Sequence, residues 1–163
     1  MRAVIVRPAS LVDADVIVRF RMELLKEHGR HPIYGRVRED AVQRARRSTA
    51  LQLASGRQIT YLAFDGRQAV GMLRCIDARG SPLLVPPRYA YIASVFVVAS
   101  HRRGGVLRRL LDAAIVWSRA RGLTEMRVHA TVDNTLANAA WERLGFGSVE
   151  LLRRRELSRA PGV

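Results

Sequence analysis

The chain has 163 residues, 48% of them hydrophobic, which suffices for one domain with a sizeable core. No window approaches the ~18 unbroken apolar residues of a membrane span, and the opening MRAVIVRPASLVDADV meets acids too soon for a signal peptide. One cysteine, Cys75, excludes an internal disulfide and a Cys-rich zinc site, while the net charge of +14 is carried by arginine, with Lys26 the sole lysine.

In chain order, RAVIVR (residues 2–7) reads as a short strand closed by Pro8. Ser10 with Asp13 resembles a capping box, and apolar residues recur at helical spacing from Leu11 to Leu25, with a stop at Gly29. A loop with Gly29, Pro32 and Gly35 leads to a second helix from about Glu39 to Ala54, ended by Ser55-Gly56. ITYLAF, Asp65-Gly66 and QAVGMLRCI form the clearest hairpin signal in the chain. After a proline-bearing loop, RYAYIASVFVV is a long strand, continuously apolar and therefore buried at its end. Leu107, Leu110, Leu111, Ala114, Ile115 and Ser118 share one face of a third helix that stops near Gly122. TEMRVHAT is a strand, DNTLANAAWERLG a helix capped by Asp133 or Asn134, and SVELLRRREL a last strand. The resulting β-α-α-β-β-β-α-β-α-β order is an α+β layout: a mixed sheet with helices on both faces. No repeat or linker interrupts residues 1–163, so a single domain is expected.

The junction SVFVVASHRRGGVL carries the first chemical signal. A strand entering a helix through a glycine turn leaves the helix's first N–H groups unpaired, and with the helix dipole they attract an anion. Gly104 and Gly105 let a phosphate approach the backbone, and Arg102 and Arg103 add formal charge. This is neither the triphosphatase loop nor the dinucleotide fingerprint. Alone, it is equally a tight turn with solvated arginines.

About thirty residues on lies NTLANAAWERLGF, in which small residues Ala137, Ala139 and Ala140 permit close approach. Together the two segments resemble the GNAT superfamily of acyl-CoA-dependent N-acetyltransferases. Its first signature, a strand followed by Gln/Arg-x-x-Gly-x-Gly/Ala, is met by Arg102 and Gly105. Its second, Asn-x-x-Ala-x-x-x-aromatic-x-x-x-Gly-Phe, is met from Asn134 to Phe146. The resemblance spans nearly the whole chain. It implies a GNAT fold with a central mixed, mostly antiparallel sheet, and a reaction passing acetyl from acetyl-CoA directly to a primary amine in a ternary complex.

The resemblance further implies that backbone groups of Val95, Phe96 and Val97 pair with the pantetheine arm. Arg103, Gly104, Gly105, Val106, Leu107 and Arg108, beside Arg102, would wrap the pyrophosphate, and Asn134 would lie near the thioester end. His129 stands five residues before that Asn, where some relatives place a glutamate base; an imidazole takes up a proton near neutrality. Three positions depart from the pattern: Leu107 replaces a small residue, Ala99 a proline, and Trp141 the tyrosine that often protonates the departing thiolate. An indole N–H is a donor but no acid, which leaves water, Tyr91 or Ser94 for that proton.

Other residues have ordinary readings beside functional ones. Cys75 fits a buried small apolar site. Glu23 and Glu27, one helical turn apart, fit either a cationic amine or local arginines. His28, His31 and Tyr34 fall in a loop that in this family borders the acceptor; the two histidines lack further ligands for a metal, and none is expected. The arginine excess fits compositional drift plus a phosphate-bearing ligand better than nucleic-acid binding. The sequence thus favours a cytoplasmic N-acetyltransferase using acetyl-CoA as co-substrate, with the acceptor amine and homodimerisation open. A GNAT-fold acyl-CoA sensor without turnover is the alternative.

Overall fold

The computed structural model describes residues 4–157. The elements are β1 (Ile5–Pro8), α1 (Ala14–Glu27), α2 (Ala41–Ala54), β2 (Gln58–Asp65), β3 (Gln68–Arg79), β4 (Arg88–Val97), α3 (Val106–Ala120), β5 (Met126–Val128) and α4 (Thr135–Arg143). They fall into two compact units, Met1–His129 and Ala130–Val163.

The first unit is a five-stranded sheet in the order β1-β2-β3-β4-β5. The first three pairings are antiparallel and β4–β5 is parallel, which is the mixed α+β layout expected. The Asp65-Gly66 turn, with Gly66 at φ 59°, closes the β2–β3 hairpin where the dipeptide forecast it. Helices α1 and α2 cover one face, where Ile17, Phe20, Leu62, Met72 and Phe96 form a buried cluster. Helix α3 covers the other. Its Val106, Leu110, Leu111, Ala114 and Ser118 are buried, and a Cβ on Gly71 would come within 3.0 Å of Val106 Cγ1 and 3.2 Å of Leu110 Cδ1. Cys75 is fully buried, its Sγ 3.7 Å from Ser118 Oγ, and burial pushes its thiol pKa up. It is a packing residue.

Four elements differ from their sequence reading. Strand β4 is not continuously buried at its end; Ala90, Ile92 and Phe96 are buried while Val95 and Val97 are half-buried. β5 is three residues long and stops before His129. α1 proper begins at Ala14, after a short 3-10 turn over Leu11–Asp13. Residues 147–157 form no strand. Adjacent Leu151 and Leu152 would point to opposite faces, and three successive arginines put charge on both, so the period of two lasts too briefly to build a one-sided strand. Residues 2 and 3 of the expected first strand lie outside the described residues.

The entry into α1 is fixed by Asp13. Its carboxylate accepts two bonds of 2.8 Å from the Arg7 guanidinium and one of 2.9 Å from Ser10 N–H. Arg7 also lies 4.5 Å from the Phe64 ring centroid. Only 6% of Asp13 is exposed, and the Arg7 bonds chiefly, with Ser10, hold its pKa down from 3.8 to about 2 against burial. A depressed carboxylate pKa stabilises the fold above the unfolded value and loses that contribution as pH falls through the folded one. Asp13→Asn should therefore cost about 1–2 kcal/mol at pH 7, allowing for the half-exposed arginine. Urea unfolding should show the difference narrowing between pH 4 and pH 2; a constant difference over that range would contradict the assignment.

Candidate functional site

Strand β4 changes character half-way along. In its register with β3, Arg74 faces Ser94 and Cys75 faces Ile92, so Ala93 is an extra residue, a β-bulge. Its parallel ladder with β5 covers Ala90–Ile92 and ends there. Beyond the bulge, Ser94–Val97 stay paired to β3 but have no strand on the other side among the described residues. The Val97 carbonyl accepts Arg102 Nε at 2.9 Å, whereas Val98 N–H donates to Val70 O at 3.0 Å. Since backbone groups alternate along an antiparallel ladder, the N–H and C=O of Val95 also face the open side. An extended chain with amide groups could lie against this edge.

The turn that follows presents donors. Arg103 (φ 62°) and Gly105 (φ 80°) are both left-handed, a conformation disfavoured for arginine and easy for glycine. Two such residues within three positions curl the backbone so that its amides face one concavity. Arg109 N–H is the first to close on a helix carbonyl, Gly105 O at 3.1 Å, so the amides of Val106, Leu107 and Arg108 point out of the helix end. The side chain of Leu107 leaves these N–H groups intact.

Arg102 points elsewhere. Its guanidinium bonds Glu27 on α1 and the Val97 carbonyl, so it braces the turn from behind. His101 adds a second brace: Nε2 lies 3.3 Å from Asp65 and Nδ1 2.9 Å from Ser100 Oγ. Both Glu23 and Glu27 are exposed, and Glu27 is committed to Arg102. Arg103, Gly104 and Arg108 are exposed around the amides.

On the other side of the bulge, the Tyr91 hydroxyl lies 2.8 Å from His129 Nδ1, with the rings edge to face at 5.5 Å. This leaves His129 Nε2 for another partner. Burial, with neighbouring Tyr34 and Tyr89, raises the Tyr91 pKa above its usual 10, so it is a neutral phenol at physiological pH. Tyr34 stacks on His31 at 4.7 Å and meets His28 edge-on at 5.9 Å, and His28 Nδ1 lies 2.8 Å from Leu24 O. These two histidines serve the loop's own structure. Among the described residues, no three His, Cys, Asp or Glu side chains converge as a metal site. No described helix is long and apolar enough to cross a membrane.

In the second unit Asn134 is the helix cap, its Oδ1 accepting Ala137 N–H at 3.1 Å, and Asn138 Nδ2 donates to Thr131 O at 3.0 Å. Trp141 is buried, edge-on to Phe146 at 5.2 Å. The segment is a real helix with the signature residues in its cap, middle and end.

A sequence profile described as the acetyltransferase (GNAT) family matches residues 22–146. The chain belongs to this family. An aminoglycoside N(6')-acetyltransferase type 1 of Acinetobacter haemolyticus is 29% identical over 105 residues, covering 60% of this chain and 68% of that protein. The N-alpha-acetyltransferase 30 of Schizosaccharomyces pombe is 29% identical over 103 residues, covering 62% and 65%. A Clostridium acetobutylicum protein described as a predicted acetyltransferase, solved with acetyl-CoA, shares the fold at a TM-score of 0.79 and 17% identity, covering 94% and 96%.

Three features of this GNAT chain were missed in the sequence. The bulge at Ala93 has no local signal, because it exists only in the pairing of β3 with β4. The Tyr91–His129 contact is likewise non-local. Arg74, the lone charge inside the apolar run QAVGMLRCI, did offer a signal.

The bracing of the turn is testable without any ligand. Arg102→Ala should leave global stability within about 1 kcal/mol, since the pair is half-exposed. It should accelerate amide hydrogen exchange at Arg109, whose N–H bonds the Gly105 carbonyl, by roughly tenfold. Unchanged exchange would show that the turn holds its shape without this contact.

Proposed function

We propose that the chain transfers the acetyl group of acetyl-CoA to a primary amine by direct attack. The observation carrying this reading is the open, bulged end of β4 running straight into an amide-lined turn, in a chain of the GNAT family. Acetyl-CoA has two matching parts: an amide-bearing arm for an exposed strand edge, and a pyrophosphate for outward amides at a helix start.

In this reading Val95, with Phe96 and Val97 continuing the strand, receives the arm. The amides of Arg103, Gly104, Gly105, Val106, Leu107 and Arg108 hold the pyrophosphate, and Arg102 shapes the turn. A β4 backbone N–H stabilises the oxyanion that develops as the amine nitrogen bonds the carbonyl carbon and the C–S bond breaks. His129 Nε2 accepts the proton the amine loses, in the tautomer whose Nδ1–H donates to the Tyr91 oxygen and so orients the ring. The departing thiolate takes a proton from water, because the Trp141 indole has none to give near neutrality. The relatives are named for acetylation at the N(6') position of an aminoglycoside and at an N-alpha position; the shared element is a nitrogen acceptor.

Release of CoA across a panel of amines tests the activity. His129→Ala should lower kcat/KM by roughly a hundredfold or more, and Tyr91→Phe by roughly tenfold through loss of one orienting bond. Gly105→Glu, which sets a carboxylate against the phosphate seat, should abolish acetyl-CoA binding. Unaltered binding there would sink the cofactor assignment, and full activity in His129→Ala would remove the base.

A further inference from the structure

Among the described residues, Arg21 on α1 and Arg74 on β3 are half-buried guanidiniums that meet no carboxylate. Arg21 Nη1 bonds only neutral acceptors on α2: Ser48 Oγ at 2.9 Å, Thr49 Oγ1 at 3.2 Å and Gln52 Oε1 at 3.4 Å. Arg74 Nη1 donates to Gln58 Oε1 at 2.8 Å, and its buried Nε has no partner at all. Neither meets a carboxylate among the described residues, whereas Arg7, Arg88, Arg102 and Arg127 each do. Burial lowers the pKa of both, and the Arg21 cation lowers that of Arg74 further. Two desolvated like charges oppose folding unless an anion joins them.

Their position says which anion. Arg74 pairs with Ser94, immediately after the Ala93 bulge, and Tyr91 pairs with Ile76, two residues further along β3 on the same face. Tyr91 in turn holds His129. Arg74 lies three residues, about 10 Å of strand, before the end of β4, and the pyrophosphate turn lies beyond that end. On the reading above, Arg74 therefore lies on the acceptor's side of the reaction. We propose that Arg21 and Arg74 form a carboxylate seat, so that the amine acetylated at His129 belongs to a molecule that also carries a carboxylate. The proposal rests on the acetyltransferase reading above. A planar guanidinium donates in the fork geometry that a carboxylate accepts. A polycationic acceptor such as an aminoglycoside meets the wrong sign of charge here.

The test is a matched panel in the intact protein: α-amino acids, their amides, the corresponding decarboxylated amines, and kanamycin. The carboxylate-bearing member of each set should have the higher kcat/KM by at least about tenfold. Arg74→Met should erase that preference, mainly through KM, and Arg74→Lys should restore part of it. Arg21→Met is the second variant should Arg74→Met unfold, with thermal unfolding as the check. Preference for amides or kanamycin, or a carboxylate preference that survives both methionine variants, would overturn the proposal. If no amine is turned over, the activity reading fails while calorimetric titration of the same amino acids and amides into the CoA-bound protein still decides this one. Carboxylate-selective binding lost in Arg74→Met supports the seat; its absence refutes it.

Discussion

Ala93 has no counterpart across the β3–β4 ladder, and that one unmatched residue sets the geometry of everything around it. A bulge bends its strand and increases the local twist. Here it coincides with the point where β4 parts from β5, after Ile92 and Val128. Before the bulge, β4 is an interior strand satisfied on both edges. After it, one edge is open and carries the N–H and C=O of Val95. A sheet edge left free is ordinarily an aggregation liability; a short one, ended four residues later by a tight turn, is suited to hold a narrow extended ligand. The same bulge places Tyr91 before it and Ser94 after it. Proton-handling and strand-pairing functions can thus sit side by side on one strand.

The turn after β4 extends that logic. Gly105 supplies a left-handed residue at no steric cost, but Arg103 does so at some cost. The structure offsets this with contacts made at a distance: Arg102 to Glu27 and His101 to Asp65. Close packing of Gly71 beneath Val106 then fixes the height at which α3 starts. Amides placed this way need no rearrangement to meet an anion, which is the benefit of preorganisation. The arginines of SHRRGGVL divide the labour: one shapes the turn, the other lines it.

Much of this was legible from local signals. The Asp65-Gly66 hairpin, the Ser10–Asp13 start, the buried face of α3 and the Asn134 cap each follow from a few neighbouring residues, and each formed as the pattern implied. The joint spacing of Arg102, Gly105, Asn134 and Gly145 was enough to name the family. What escaped is non-local. A bulge depends on another strand's register, and the Tyr91–His129 contact joins residues 38 apart. The mistaken last strand has a different cause: alternation over three residues, Val149 to Leu151, was extended through a Leu-Leu step and a charge run that period two does not allow.

The charge of +14 takes on a different meaning once its arginines are placed. Arg88 and Arg57 sit around Asp77, Arg38 and Arg44 around Asp40, and Arg127 against Glu125 and over the Tyr89 ring. The pairs around Asp40 and Glu125 are exposed and contribute little stability each, and Asp77, though buried, meets two half-exposed arginines. They account for much of the composition as ordinary surface, in line with drift toward arginine. Arg21 and Arg74 do not belong to that population, because a desolvated cation beside another cation is opposed by burial and by repulsion together. Neutral partners such as Gln58 and Ser48 relieve only the first. A fold that keeps both leaves a demand for negative charge that these neutral partners do not meet. Net charge alone points to polyanions in general; on the proposed reading, these two residues ask for one compact anion on the acceptor itself.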